Sequence, residues 1–70
     1  MRNNDTAMQA FLAANSDIDA LLDRLKALSE DHFEARPEEV HWGHVGTLQR
    51  YQARLREIAD MAFNEGEHAA

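Results

Sequence analysis

Phe11-Leu12-Ala13-Ala14-Asn15-Ser16-Asp17-Ile18-Asp19-Ala20-Leu21-Leu22-Asp23-Arg24-Leu25-Lys26-Ala27-Leu28 is the stretch that decides the fold. Its apolar residues Phe11, Ala14, Ile18, Leu21, Leu25 and Leu28 recur at alternating intervals of three and four, which lines them up on one side of an α-helix. A second run with the same spacing follows: Leu48, Tyr51, Leu55, Ile58 and Ala62. Between them stands the only proline, Pro37. Two amphipathic helices joined by one break predict an all-α fold, an antiparallel two-helix hairpin.

The bounds follow from local signals. Met1 to Asn4 forms a polar lead, and helix 1 is expected over about residues 5–32. Thr6 with Gln9 has capping-box spacing, and Ser16 with Asp19 repeats the device further in. Asn15, Ser16 and Asp17 are three poor helix formers in succession, so a break there competes with an uninterrupted helix. The apolar register favours the uninterrupted one, because it passes through them without a skip. The loop is expected at 33–36. Pro37 suits the first helical position, and Glu38 with Glu39 suits the positive end of the helix dipole. Helix 2 should then run over about 37–63, with Gly66 placed to end it and 65–70 as a tail. Gly43 and Gly46 sit inside that span at roughly 1 kcal/mol each relative to alanine, so they either split off Pro37–Val45 or permit a close backbone approach.

Folding the chain antiparallel at the loop pairs positions whose numbers sum to about 73. Leu25 then meets Leu48, Ile18 meets Leu55, and Phe11 meets Ala62, while Asp19 faces Arg54 and Asp23 faces Arg50. Exposed pairs of that kind contribute only about 0–1 kcal/mol each, yet they favour one alignment over others. A second apolar column remains uncovered, made of Met8, Leu12, Leu22, Val45 and Ala59. With 70 residues and no cysteine, the chain has a thin core and no disulfide to support it. Burial of that column between two copies, giving a homodimeric four-helix bundle, is the expected solution.

The thirteen acidic and seven basic side chains leave a formal charge of −6. Such a field repels phosphate backbones and anionic membrane surfaces, which argues against nucleic acid and membrane as partners. No apolar run approaches a membrane span, and Met1–Ala10 lacks the order of a signal peptide, so a cytoplasmic location is expected. Arg50, Arg54 and Arg56 line helix 2 as a Rop-like RNA-binding dimer would require, but Asp19 and Asp23 are placed to neutralise two of them. No nucleophile–base arrangement, phosphate loop or dinucleotide fingerprint is present. The expectation is a non-enzymatic protein with no catalytic residues and no cofactor.

Histidines supply the alternative. His41 and His44 lie three apart, and the pairing rule sets His32 opposite His41, so three imidazoles would converge at the loop end as ligands for zinc or nickel. Trp42, between His41 and Gly43, either caps the core or anchors an interface. A protein partner would meet that tryptophan and the carboxylates of Asp17, Asp19 and Asp23.

From Val40 to His68, the segments His-Trp-Gly-His-Val-Gly-Thr-Leu (41–48), Tyr51, Leu55 and Ala-Phe-Asn-Glu-Gly-Glu-His (62–68) resemble small acidic uncharacterised proteins of bacterial plasmids and integrative mobile elements. The resemblance covers the C-terminal half. It implies an accessory protein of a mobile element that binds and modulates another protein, for example by occupying a basic site as an acidic decoy.

Overall fold

In the computed structural model, residues 3–69 are described, and they are all-helical, with no strand among them. The order is α1 (Asn3–Glu30), a short turn at His32–Glu34, a 3₁₀ turn at Pro37–Glu39, and α2 (Trp42–Phe63). The chain divides into two units between Glu34 and Ala35.

α1 is continuous for 28 residues. Neither Thr6 nor Ser16 begins it, and Asn15–Asp17 does not interrupt it, because ordinary poor helix formers cost at most about 0.7 kcal/mol apiece inside a long Ala- and Leu-rich run. It ends at Glu30 rather than near His32. The amide of Asp31 still reaches back, to Ala27 O at 3.3 Å and Leu28 O at 3.1 Å. Then the chain changes hand: His32, Phe33 and Glu34 have φ of 53°, 54° and 62°. Glu34 N–H closes this left-handed turn on Asp31 O at 3.0 Å. None of the three is glycine, and the left-handed region costs roughly 1–2 kcal/mol per residue with a Cβ.

The second unit opens on Pro37 at the first position of its 3₁₀ turn, preceded by Arg36 in an extended conformation. Helix 2, expected from about 37, starts at Trp42 instead. Val40 (ψ 131°) and His41 (φ −141°, ψ 176°) are extended and separate the 3₁₀ turn from α2. The interruption therefore falls before the glycines, and α2 runs unbroken through Gly43 and Gly46. It ends at Phe63 as expected, on a left-handed Asn64 (φ 52°, ψ 53°) whose N–H bonds Asp60 O. Gly66, the expected terminator, is two residues further on with φ 69°.

Burial is the unusual property of both units. No apolar side chain among the described residues is buried; Leu28, Val45 and Ala59 are half-covered, and the rest of both stripes is exposed. Phe11 keeps 66% of its surface in water. Helices in folded proteins draw most of their stability from packing of such a face, not from propensity.

Candidate functional site

Three local constructions carry the chemistry of the chain. The first is the start of α2. His41 is its N-cap, with Nδ1 accepting from Gly43 N–H at 3.0 Å. His44 answers from one turn inside, its Nδ1 accepting from His41 N–H at 3.2 Å. The two rings lie with centroids 4.1 Å apart and planes inclined by 31°. This is a capping box built from two imidazoles where Ser and Glu usually serve. Gly43 is part of it: a Cβ there would stand 2.7 Å from His41 Cε1. The close approach that glycine permits is thus by a ring of the same helix start.

The caps bear on the metal expectation. An imidazole whose Nδ1 accepts a hydrogen bond carries its proton on Nε2. For either ring to ligate a metal through Nε2, that proton must leave or move to Nδ1; in the second case the cap is lost. Among the described residues, no group of three or more His, Asp or Glu is placed to hold a metal ion. His32 belongs to the left-handed turn of the first unit.

The second construction closes α2. Asp60 is 4% exposed, the one buried residue among those described. After Asn64 the chain folds back, so that Glu65 N–H meets Asp60 O at 2.9 Å. His68 N–H reaches Asp60 Oδ2 at 3.4 Å and the His68 Nδ1 lies 3.3 Å from the same oxygen. Gly66 lies flat against the carboxylate, where a Cβ would fall 2.7 Å from Oδ1. Sequence reasoning missed this clasp, although Asn64 and Gly66 in succession after a helix were the signal for it. Nearby, Arg54 Nη1 donates to Glu57 Oε2 at 2.8 Å. That hydrogen bond, opposed by desolvation and reinforced by the charge of Arg54, holds the Glu57 carboxyl below its ordinary value. Arg54 thus has a partner one turn along its own helix.

The third is the apolar surface. Met8, Leu12 and Leu22 are exposed on α1, and Val45 and Ala59 are half-covered on α2. Trp42 is 84% exposed. Six residues before Leu48, it lies about 120° around the helix from the stripe, so it does not extend that stripe. Asp17, Asp19 and Asp23 are exposed on α1. No helix is long and apolar enough among the described residues to cross a membrane.

No protein-family model matches the chain, and searches of curated proteins and of solved structures found no match. What stands is the class defined by the chain itself: an all-helical protein of two long amphipathic helices with exposed apolar stripes, the second of them capped by side chains at both ends.

Proposed function

We propose that this is a non-enzymatic helical protein that works by binding other protein surfaces. α1 and α2 pair antiparallel as a hairpin through Ile18, Leu21, Leu25, Leu48, Tyr51 and Leu55. Two hairpins then associate through Met8, Leu12, Leu22, Val45 and Ala59 as a homodimeric four-helix bundle. Trp42 and the carboxylates of Asp17, Asp19 and Asp23 remain outside to meet a protein partner. In the setting implied by the resemblance above, that partner is a host protein modulated by an accessory factor of a mobile element, in the cytoplasm.

One observation carries the reading: neither helix has a buried apolar side chain of its own, yet both display a complete stripe. Covering a Leu or Ile of such a stripe gains about 1.5–3 kcal/mol, so the stripes drive association wherever a complementary surface is offered. The acidic charge of −6 keeps such a protein dispersed until it meets one. Molar mass by light scattering on a sizing column, over a wide range of concentration, tests the proposal. A dimer that dissociates on Leu12→Asp with Leu22→Asp supports it, and a well-folded monomer at high concentration overturns the bundle.

A further inference from the structure

Both hydrogen bonds of the α2 capping box end on ring nitrogens: Gly43 N–H donates to His41 Nδ1 at 3.0 Å, and His41 N–H to His44 Nδ1 at 3.2 Å. A ring nitrogen accepts only while it carries no proton, and in the imidazolium ion both nitrogens are donors. A proton added to either ring therefore sets N–H against N–H and removes one bond of the box. The surroundings offer the charged rings nothing in return. Their centroids are 4.1 Å apart, so two positive rings would repel. Both stand at the positive end of the α2 dipole, where a cation is unfavourable. The first turn of α2 carries no carboxylate, and among the described residues neither ring has an ion pair. Glu38 and Glu39 precede the box in the 3₁₀ turn, with Glu39 Oε1 3.9 Å from Arg36 Nη1. The next charged side chain along α2 is Arg50, itself a cation.

We propose that the start of α2 is a proton-operated switch: with both rings neutral the box keeps the first turn wound, and protonation opens it and releases Trp42 from the helix. Histidine is the side chain that ordinarily changes charge between about pH 5 and 8. The wound turn binds fewer protons than the open one, so it is lost as pH falls. Little else holds it. Gly43 and Gly46 are weak helix formers, each about 1 kcal/mol worse than alanine, and Val40 and His41 before the helix are already extended. Trp42, 84% exposed, is the first residue of α2, so the winding of this turn sets where its indole is presented. Every part of the switch belongs to the second unit, and it works whether or not Trp42 meets the partner proposed above. Where it does, acid removes the geometry on which that contact depends.

The test is an NMR titration of the full chain between about pH 8 and 5, in which the ring signals of His41 and His44 and the backbone shifts of 42–46 are followed together. The comparison is a chain carrying His41→Asn with His44→Gln, which keeps an acceptor at both positions but has no group there that titrates in this range. In the parent, the helical shifts of 42–46 should fade as the two rings gain protons. The amide of Val45, bonded to His41 O at 3.2 Å, should exchange about tenfold faster than in the variant at the acid end, and at a similar rate at the alkaline end. His32 and His68 are present in both chains and cancel. Ring protonation that leaves the shifts of 42–46 in place overturns the switch, and that result needs the parent alone. An equal loss of helix in both chains overturns it too, because a proton elsewhere would then be responsible.

Discussion

The imidazole of His41 occupies the space where Gly43 lacks a side chain: a Cβ at position 43 would lie 2.7 Å from its Cε1 and 2.9 Å from its Nδ1. At Gly46, one turn on, the same construction meets nothing within 4 Å. The two glycines of α2 should therefore respond differently to alanine. Gly46→Ala should stabilise the helix by about 0.5–1 kcal/mol, the ordinary difference in backbone entropy. Gly43→Ala should gain the same amount and lose it again, because the His41 ring must leave its cap. Melting curves followed by circular dichroism would separate the two variants by several degrees.

Replacing the cap itself gives a sharper contrast. His41→Ala removes the Nδ1 acceptor for Gly43 N–H and should cost about 0.5–2 kcal/mol, while His41→Asn supplies an oxygen acceptor in its place and should restore most of it. A fall in melting temperature common to both variants would show that the ring contributes by packing rather than by its hydrogen bond.

The same hydrogen bonds bear on metal. With both Nδ1 atoms accepting from backbone amides, ligation through Nε2 competes with the start of α2. The melting temperature should not fall on addition of a chelator. Stabilisation by zinc by several degrees would overturn this and point to His41 and His44 as ligands.

At the other end of α2, Gly66→Ala places a Cβ against the Asp60 carboxylate on a backbone with φ 69°. The left-handed conformation alone costs roughly 1–2 kcal/mol. Hydrogen exchange at the Glu65 amide, which bonds Asp60 O, should accelerate about tenfold or more. The amides in the middle of α1 should keep their rates.

Acid should loosen α2 through Glu57. Its carboxyl is held below the ordinary 4.5 chiefly by the hydrogen bond from Arg54. The contribution is complete above the ordinary value and lost as pH falls through the lowered one. Glu57→Gln should lower stability slightly near neutrality, where the contribution is complete, and flatten the profile below about pH 4.5. Because the pair is at the surface, salt should shrink the difference.

How far the sequence was legible depends on the range of the forces involved. The stripes through Phe11–Leu28 and Leu48–Ala62 announced both helices, since a period of three and four is a property of many residues together. The end near Phe63 was read from Gly66, whereas a left-handed Asn64 makes it. The left-handed turn was not legible, because His32, Phe33 and Glu34 contain no glycine or asparagine to signal positive φ. Pro37 was read as the first residue of α2, whereas it begins a separate 3₁₀ turn. His41 was weighed as a ligand and not as a cap, because the role depends on one ring rotamer rather than on residue type. Nothing in the spacing around Asp60 marks it for burial. Its burial comes from a backbone reversal four to eight residues later, which periodicity does not register.

That reversal sits far from the stripe. Asp60 comes two residues after Ile58 and five after Leu55, about 140–160° around the helix from both. The C-terminal clasp and the apolar stripe of α2 are therefore separate thermodynamic modules. In a double-mutant cycle, Gly66→Ala and Leu55→Ala should combine additively to within about 0.3–0.5 kcal/mol. The last residues of the chain can be rewritten, or tethered to something else, without altering the apolar stripe of α2.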